Sequence, residues 1–343
     1  MKVRLLFPEE NAKWDKVPDW EDRFADLKLE PLLKAMSRGD PTVNQVCLQM
    51  LNQPLQTRKE ILYRQEILKE FLLMPEEIES IYGICVEAEA RRRKTWCRLN
   101  SPHLTTVYSS AADLLKIYME ALVKIRKALE TRQFGSAGLR QLSELLKREL
   151  SDAYLEEVRR LQDGIGDREG MWISARFGPY LQGVSYVKRQ PEQRLARLRW
   201  LLQPSFTLAE RDMNGEKDLQ IRQDRAINEV ANVMAQAAGS LQGFVDQLRM
   251  ELAFYLGGVH LYEALKKRHL SLCFPQPTSR NERAYQGLYD GSLALLSKDP
   301  IVGNTLEAKH RNLYLITGAN QGGKTTFLRS VGICQLMADP HTS

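Results

Sequence analysis

Apolar side chains recur at three- and four-residue steps through most of this chain, a pattern that predicts a largely α-helical protein. Val43, Val46, Cys47, Met50 and Leu51 form one stripe. After a break at Asn52-Gln-Pro-Leu55, Ile61, Leu62, Gln65, Leu68, Phe71 and Leu72 form the next. Ala111, Leu114, Tyr118, Ala121, Ile125 and Leu129 predict a further helix. Leu139, Leu142, Leu146, Leu150, Tyr154, Val158 and Leu161 predict another, with Gly135 and Gly138 in the gap and Asp163-Gly-Ile-Gly166 as its stop. The longest stripe is Ile227, Val230, Met234, Ala237, Leu241, Phe244, Leu248, Leu252, Tyr255 and Val259, close to a 3.5-residue repeat. At 1.5 Å per residue it predicts a helix roughly 50 Å long. Residues 1–30 carry Trp14, Trp20 and Phe24 without a period, with Pro8 and Pro18 as breakers, and read as an irregular arm packed on the helices behind it.

Two regions depart from the helical pattern. Between about 170 and 216, Trp172-Ile-Ser-Ala-Arg-Phe177, Val184-Ser-Tyr-Val187 and Ser205-Phe-Thr-Leu208 read as short strands, and Asn214-Gly215 as a turn. Arg194, Arg197 and Arg199, interleaved with Leu195, Leu198 and Trp200, predict a short basic helix in the same insert. From Pro275 to Arg283, Pro275, Pro277, Thr278 and Ser279 mark a boundary. Beyond it Gly287–Asp290, Leu293–Leu296 and Pro300–Asn304 read as short segments leading to the apolar run Leu313, Leu315 and Ile316, expected to be a buried parallel strand. The expected organisation is a helical core of residues 1–274 with an insert at about 170–216, followed by residues 275–343 as the first part of an α/β domain.

The run leads into Gly318-Ala-Asn-Gln-Gly-Gly-Lys324-Thr325-Thr326, which satisfies the phosphate-loop pattern Gly-x-x-x-x-Gly-Lys-Thr. Gly318 and Gly323 permit backbone angles and close approaches that a Cβ blocks, so the consecutive amides of Asn320, Gln321, Gly322, Gly323, Lys324 and Thr325 can converge on an anion, with Ala319 in the same nucleotide-binding loop. The helix expected to start at Lys324 adds its positive dipole end. Lys324 is the catalytic candidate, reaching the β- and γ-phosphates. Thr325 is the Mg²⁺-ligand candidate, and Thr326 a pocket-wall residue. ATP and Mg²⁺ are the expected cofactors. The Phe327, Leu328, Val331, Cys334, Gln335 and Met337 pattern that follows is helical.

Composition adds limits. The chain has 343 residues, 43% of them apolar, which is enough for a large core and excludes a disordered or fibrous chain. Its net charge of +6 suits nucleic-acid contact without requiring it. Arg91-Arg-Arg-Lys94 with Arg98 is the densest basic run; with Glu87 and Glu89 just before it, a solvated helix face outweighs a phosphate-binding patch. Five dispersed cysteines without a Cys-x-x-Cys pair read as buried thiols in a reducing compartment. With no signal-peptide core and no apolar run of about 20 residues, a cytoplasmic location without membrane contact is expected.

Thr317-Gly-Ala-Asn-Gln-Gly-Gly-Lys-Thr-Thr-Phe-Leu-Arg-Ser-Val-Gly332 closely resembles the loop of the MutS family of DNA mismatch-repair ATPases, and its Gly-Ala-Asn-Gln variant resembles the MutS-related bacterial branch. Gln53-Pro54-Leu55 and Ile61-Leu-Tyr-Arg64-Gln65 resemble the turn and helix that open the family's core domain. The resemblance implies a mainly α fold, a helical core and lever domain, followed by a partial α/β P-loop NTPase domain. It implies ATP binding at the loop coupled through lever helices to double-stranded DNA, in a homodimer when intact, in DNA repair or recombination. It also places Ile301 and Asn304 beside the adenine, although the family's usual His-Pro near this point is Asp290-Gly291 here. The family's Mg²⁺-holding acid lies well downstream of the loop, and the chain runs only to Ser343. The expectation is a chain truncated after the loop, without the mismatch-reading domain, with weak nucleotide binding and little turnover. The competing readings are a non-catalytic helical scaffold with a vestigial loop, and a transporter-type or chromosome-structuring ATPase.

Overall fold

A computed structural model of the chain describes residues 2–8, 17–53, 55, 57–95, 99–153, 156, 172–177, 183–189, 212–277, 283–308, 313–319 and 322–338. Among them the fold is mainly α. In order, the elements are α1 (Trp20–Asp26), α2 (Glu30–Ser37), α3 (Pro41–Leu51), α4 (Arg58–Leu73), α5 (Pro75–Lys94), α6 (Leu104–Glu130) and α7 (Ala137–Glu149). Then come β1 (Trp172–Phe177), β2 (Gly183–Arg189), α8 (Met213–Lys266), β3 (Arg283–Leu288), α9 (Gly291–Leu296), β4 (Asn304–Ala308) and α10 (Lys324–Ala338). No helix among the described residues is long and apolar enough to cross a membrane.

The chain divides into two compact units. One comprises Ile84–Lys127 and Leu145–Val245. Its core includes Tyr108 with Ile227 and Ala231, flanked by Leu104 and Met234. Gln220 Nε2 donates to Thr105 Oγ1 at 2.9 Å, and the Thr105 amide donates to Asp224 at 3.3 Å, so polar contacts tie α6 to α8 here. Strands β1 and β2 form an antiparallel hairpin with Trp172 opposite Arg189 and Phe177 opposite Gly183. The two strands expected from sequence are therefore present; Arg194–Trp200 and Ser205–Leu208 lie outside the described residues. Asn214-Gly215 is not a turn but part of the first turn of α8. Asp212 Oδ1 accepts from the Gly215 amide at 2.8 Å, satisfying a helix-start donor and carrying the glycine into the helix. Helix α7 ends at Glu149, earlier than the apolar stripe predicts. The Arg126 guanidinium donates to the Leu150 carbonyl and to Asp152 at 2.7 Å, closing the helix end. Val158 and Leu161 lie outside the described residues.

The second unit comprises Lys2–Gly83, Ala128–Glu144 and Asp246–Ser343. Helix α3 starts where Asp40 accepts from the Thr42 and Val43 amides at 2.7 and 3.0 Å, with Pro41 at the first helical position. A reciprocal Thr57–Glu60 capping box starts α4. Val43, Val46, Cys47, Met50 and Leu51 are all buried, as their spacing predicts. Helix α8 passes so close that a Cβ on Gly257 would sit 2.4 Å from Cys47 Sγ. The carboxylate of Glu70 caps α7 by accepting from the Gly135 and Ser136 amides at 2.7 and 2.9 Å.

The N-terminal arm is held by side chains of α4 and α8 rather than by a sheet. Glu251 accepts from the amides of Leu5 and Leu6 at 2.6 and 3.1 Å, and from Gln247 Nε2 at 2.8 Å. Tyr255 and Arg64 donate to the carbonyls of Leu5 and Leu6, at 2.5 and 2.8 Å. The Arg64 guanidinium also lies 4.4 Å over the Phe7 ring. Burial pushes the Glu251 carboxyl and the Tyr255 hydroxyl up and draws Arg64 down to about 10. Within the same first 30 residues, Trp20–Asp26 forms the helix α1 that the sequence reading leaves irregular.

After residue 277, β3 and β4 pair antiparallel, Arg283 opposite Ala308 and Leu288 opposite Asn304. Leu293–Leu296, a short segment in the sequence, belongs to α9. Asp290 accepts from the Leu293 amide at 3.0 Å and so starts a helix on a run too short to declare its own period. The expected buried parallel strand ahead of the phosphate-loop sequence is also not formed. Residues 313–319 have no regular structure or sheet partner among the described residues, and Leu313 and Leu315 are 86% and 88% exposed. An apolar run becomes a strand only where a neighbour takes up its amides and carbonyls.

Candidate phosphate-binding loop

Gly318 and Gly323 have φ of 156° and 80°, the second in the left-handed region that a side chain strains. Between them the Gly322 amide donates to the Ala319 carbonyl at 3.1 Å, and a Cβ on Gly322 would stand 2.9 Å from that oxygen. The Phe327 amide donates to the Gly323 carbonyl at 2.9 Å, the first bond of α10. The sequence thus folds as a tight glycine turn opening directly into a helix, and the free amides at the start of that helix face the turn.

Lys324 closes the arrangement. Its Nζ donates to the carbonyls of Gly318 and Ala319 at 2.7 and 2.6 Å, laying the ammonium across the loop. Thr325 is exposed and Thr326 half-buried at the next two positions. Asn320 and Gln321 lie outside the described residues. The structure therefore brings Gly318, Ala319, Gly322, Gly323 and Lys324 together. Ile301 and Asn304 belong elsewhere: Ile301 is half-buried just before β4, and Asn304 is exposed as the first residue of that strand, opposite Leu288. Neither shares a hydrogen bond with residues 318–326 among the described residues.

Helix α10 is seated on apolar residues. Ile333 is buried with Leu29 and Leu32, and Leu27, Leu261, Leu295 and Leu336 pack around them. Gly332 lets the helix approach α1 and the turn after it, since a Cβ there would stand 2.6 Å from Leu27 Cδ2. Arg329 Nε lies 3.1 Å from Asp290 Oδ2. Sequence reasoning missed this pair; no local pattern connects residues so far apart in the chain.

The basic run is committed elsewhere. Arg91 pairs with Glu120 at 2.7 Å, and Arg92 and Arg93 both pair with Glu89, at 2.6 and 2.9 Å. The hydrogen bond from Arg92 holds the Glu89 carboxyl at about 2, well below the usual carboxylate range, with Arg93 assisting against the opposing effect of burial. Glu89 thus pairs within its own helix, as the sequence suggests, while Glu87 and Arg91 pair across to Lys124 and Glu120 of α6.

Compared with known protein families, residues 56–268 match the MutS2 N-terminal domain. The chain belongs to the MutS2 family. The match runs from the start of α4 to the end of α8 and includes the β1–β2 hairpin; the Gly318–Thr326 loop lies beyond it. What the match establishes is this MutS2 relationship, coarser than the mismatch-repair truncation expected from the loop sequence.

Proposed function

We propose that this MutS2-family chain binds Mg·ATP at the Gly318–Thr326 loop, as the opening of a P-loop NTPase domain, and that the bound state alters its contact with double-stranded DNA. The observation that carries the reading is the glycine turn, which feeds straight into α10 while Lys324 lies across it. Glycine at 322 is what lets the turn close this tightly, since a Cβ there would stand 2.9 Å from the Ala319 carbonyl oxygen. Loop amides and the helix start suit an anion, and an incoming phosphate supplies the acceptors that the Gly318 and Ala319 carbonyls now provide to Lys324. The exposed Thr325 hydroxyl is the residue that would ligand Mg²⁺. When bound, the nucleotide supplies the charge and the metal that organise these groups. The chain's own part is to orient the phosphates and neutralise them with Lys324.

DNA contact and a role in repair or recombination are part of this proposal, supported by the MutS2 match and by the net charge of +6. The paired state of Arg91–Arg93 moves that contact away from α5.

Titration with a fluorescent ATP analogue and Mg²⁺ tests the reading. Lys324→Ala should weaken binding about tenfold or more, the worth of one charge-assisted contact. Equal affinity in both proteins would overturn it and leave a helical scaffold with a vestigial loop. Repeating the titration with duplex DNA tests the coupling, since nucleotide and DNA must then change each other's affinity by the same factor.

A further inference from the structure

Helix α10 rests on two kinds of contact that do different work. The apolar seat around Leu29, Leu32 and Ile333 is non-directional. It holds the helix down but, apart from the close approach of Gly332 to Leu27, constrains its rotation and axial position only weakly. The second contact is directional. Asp290 has a fully buried side chain, and Arg329 is only 15% exposed. One carboxylate oxygen, Oδ1, is committed to the Leu293 amide at the start of α9, so the other, Oδ2, has a fixed position. Arg329 Nε approaches Oδ2 to 3.1 Å but off a hydrogen-bonding line, so the contact is one of charge, made where water screens it little. Arg329 stands roughly 7.5 Å along the helix from Lys324, about a turn and a half. A rotation of α10 at that point turns the loop lysine by the same angle.

We propose that Asp290 and Arg329 are positioning residues for the phosphate loop: the buried pair sets the register of α10 on the α2–α9 surface and thereby aims Lys324 and the first-turn amides. This deepens the proposed nucleotide function and rests on it for its consequence, though not for its geometry. Loss of the pair leaves the apolar seat intact, so α10 stays docked but its register is no longer unique. Nucleotide binding must then select the aimed state from several, which lowers apparent affinity in proportion to that state's population.

The test uses Arg329→Met, which keeps the apolar stem without the charge, Arg329→Lys, which keeps the charge, and Asp290→Asn, which keeps the α9 cap. Each is read by amide hydrogen exchange over residues 324–338 and by titration with the fluorescent ATP analogue and Mg²⁺. Arg329→Met and Asp290→Asn should each speed exchange in the first turns of α10 about tenfold, with α3 and α8 unchanged. Both should weaken nucleotide binding about tenfold, and Arg329→Lys, which keeps a charge opposite Asp290, should show much smaller changes than Arg329→Met in both readouts. Wild-type exchange in Arg329→Met and Asp290→Asn overturns the proposal. So does a loss of protection spread across the whole unit, which marks the pair as a general stability contact. Should the unmodified protein bind nucleotide no better than Lys324→Ala, the nucleotide reading fails, and the exchange data alone decide whether the pair sets the register.

Discussion

At Gly257 in α8, replacement by alanine opposes two effects of known size. In a helix interior, alanine is favoured over glycine by about 1 kcal/mol. The new Cβ would stand 2.4 Å from Cys47 Sγ and 3.3 Å from Val43 Cγ1. Both residues are fully buried, and the cysteine sulfur has a single torsion with which to move away. Overpacking of this kind costs about 1–3 kcal/mol, and a separation below 3 Å belongs at the upper end. The packing cost wins, and Gly257→Ala should lose about 1–2 kcal/mol net. Gly239 lies in the same helix, exposed, with nothing within 4 Å of an added Cβ, so Gly239→Ala should gain about 0.5–1 kcal/mol. Equilibrium urea unfolding should therefore move the two midpoints in opposite directions at unchanged slope. Adding Cys47→Ala to Gly257→Ala removes the clashing atom, and the pair should be less damaging than the sum of its parts by about 1 kcal/mol. Two variants that stabilise equally, or a strictly additive pair, would refute the close packing of α8 on α3.

Two carboxylates give pH effects of opposite sign. Glu89 is held at about 2 against 4.5 when unfolded, so its stabilisation is full above 4.5 and lost as pH falls from 4.5 toward 2. Glu89→Gln should abolish a loss of about 1–3 kcal/mol in urea unfolding between pH 6 and pH 3. Glu251 is raised above 4.5 by burial, despite the Leu5, Leu6 and Gln247 donors and nearby Arg64, with Tyr255 and Tyr63 also beside it. The folded state therefore binds the extra proton, and this residue's contribution to stability falls as pH rises from 4.5 through its folded value. Glu251→Ala should remove that slope and, by stranding the Leu5 and Leu6 amides, cost about 2–3 kcal/mol, read as a lower unfolding midpoint and faster proteolysis of the first residues.

How much of this was legible in the sequence depended on whether the deciding interaction was local. The α3 stripe is correct at every position because a buried helix face has a fixed period. In α8 the stripe holds from Leu241 onward, but Val230 is 45% exposed and Ala231 is buried in its place. Ile227 is buried as well, so the miss is local: from Ile227 the face continues at the fourth residue, Ala231, and not at the third, and a helix of 3.6 residues per turn allows either step. Asn214-Gly215 was misread because one carboxylate, Asp212, outweighs a turn preference. The Leu293 run could be read only as a short segment, because six residues are too few to separate the two periods. The positive φ of Gly323 and the close approach at Gly322 depend on adjacent residues, whereas the Asp290–Arg329 pair and the Glu251–Arg64–Tyr255 clasp exist only once distant segments meet.

Those two non-local polar sites have a common feature that bears on how the unit works. Each joins a terminal segment, the N-terminal arm in one case and helix α10 in the other, to an otherwise apolar surface. Apolar burial supplies most of the attachment in both. Val3, Leu5 and Leu6 are buried in the arm, as Ile333 is in α10. Hydrophobic contact alone tolerates sliding; a buried charge or a buried carboxylate with fixed donors does not, because every displaced state strands a polar group. Helix α8 contributes to both attachments, through Glu251 and Tyr255 to the arm and through Leu261 to the cluster beneath α10. Within this unit, a change in the seating of α10 therefore meets the same rigid helix that anchors the arm, and two turns of α8 separate Tyr255 from Leu261 at most. Such a segment can transmit a shift only if it has two discrete packings, and the register of α10 on Asp290 is the element in this unit that could supply them.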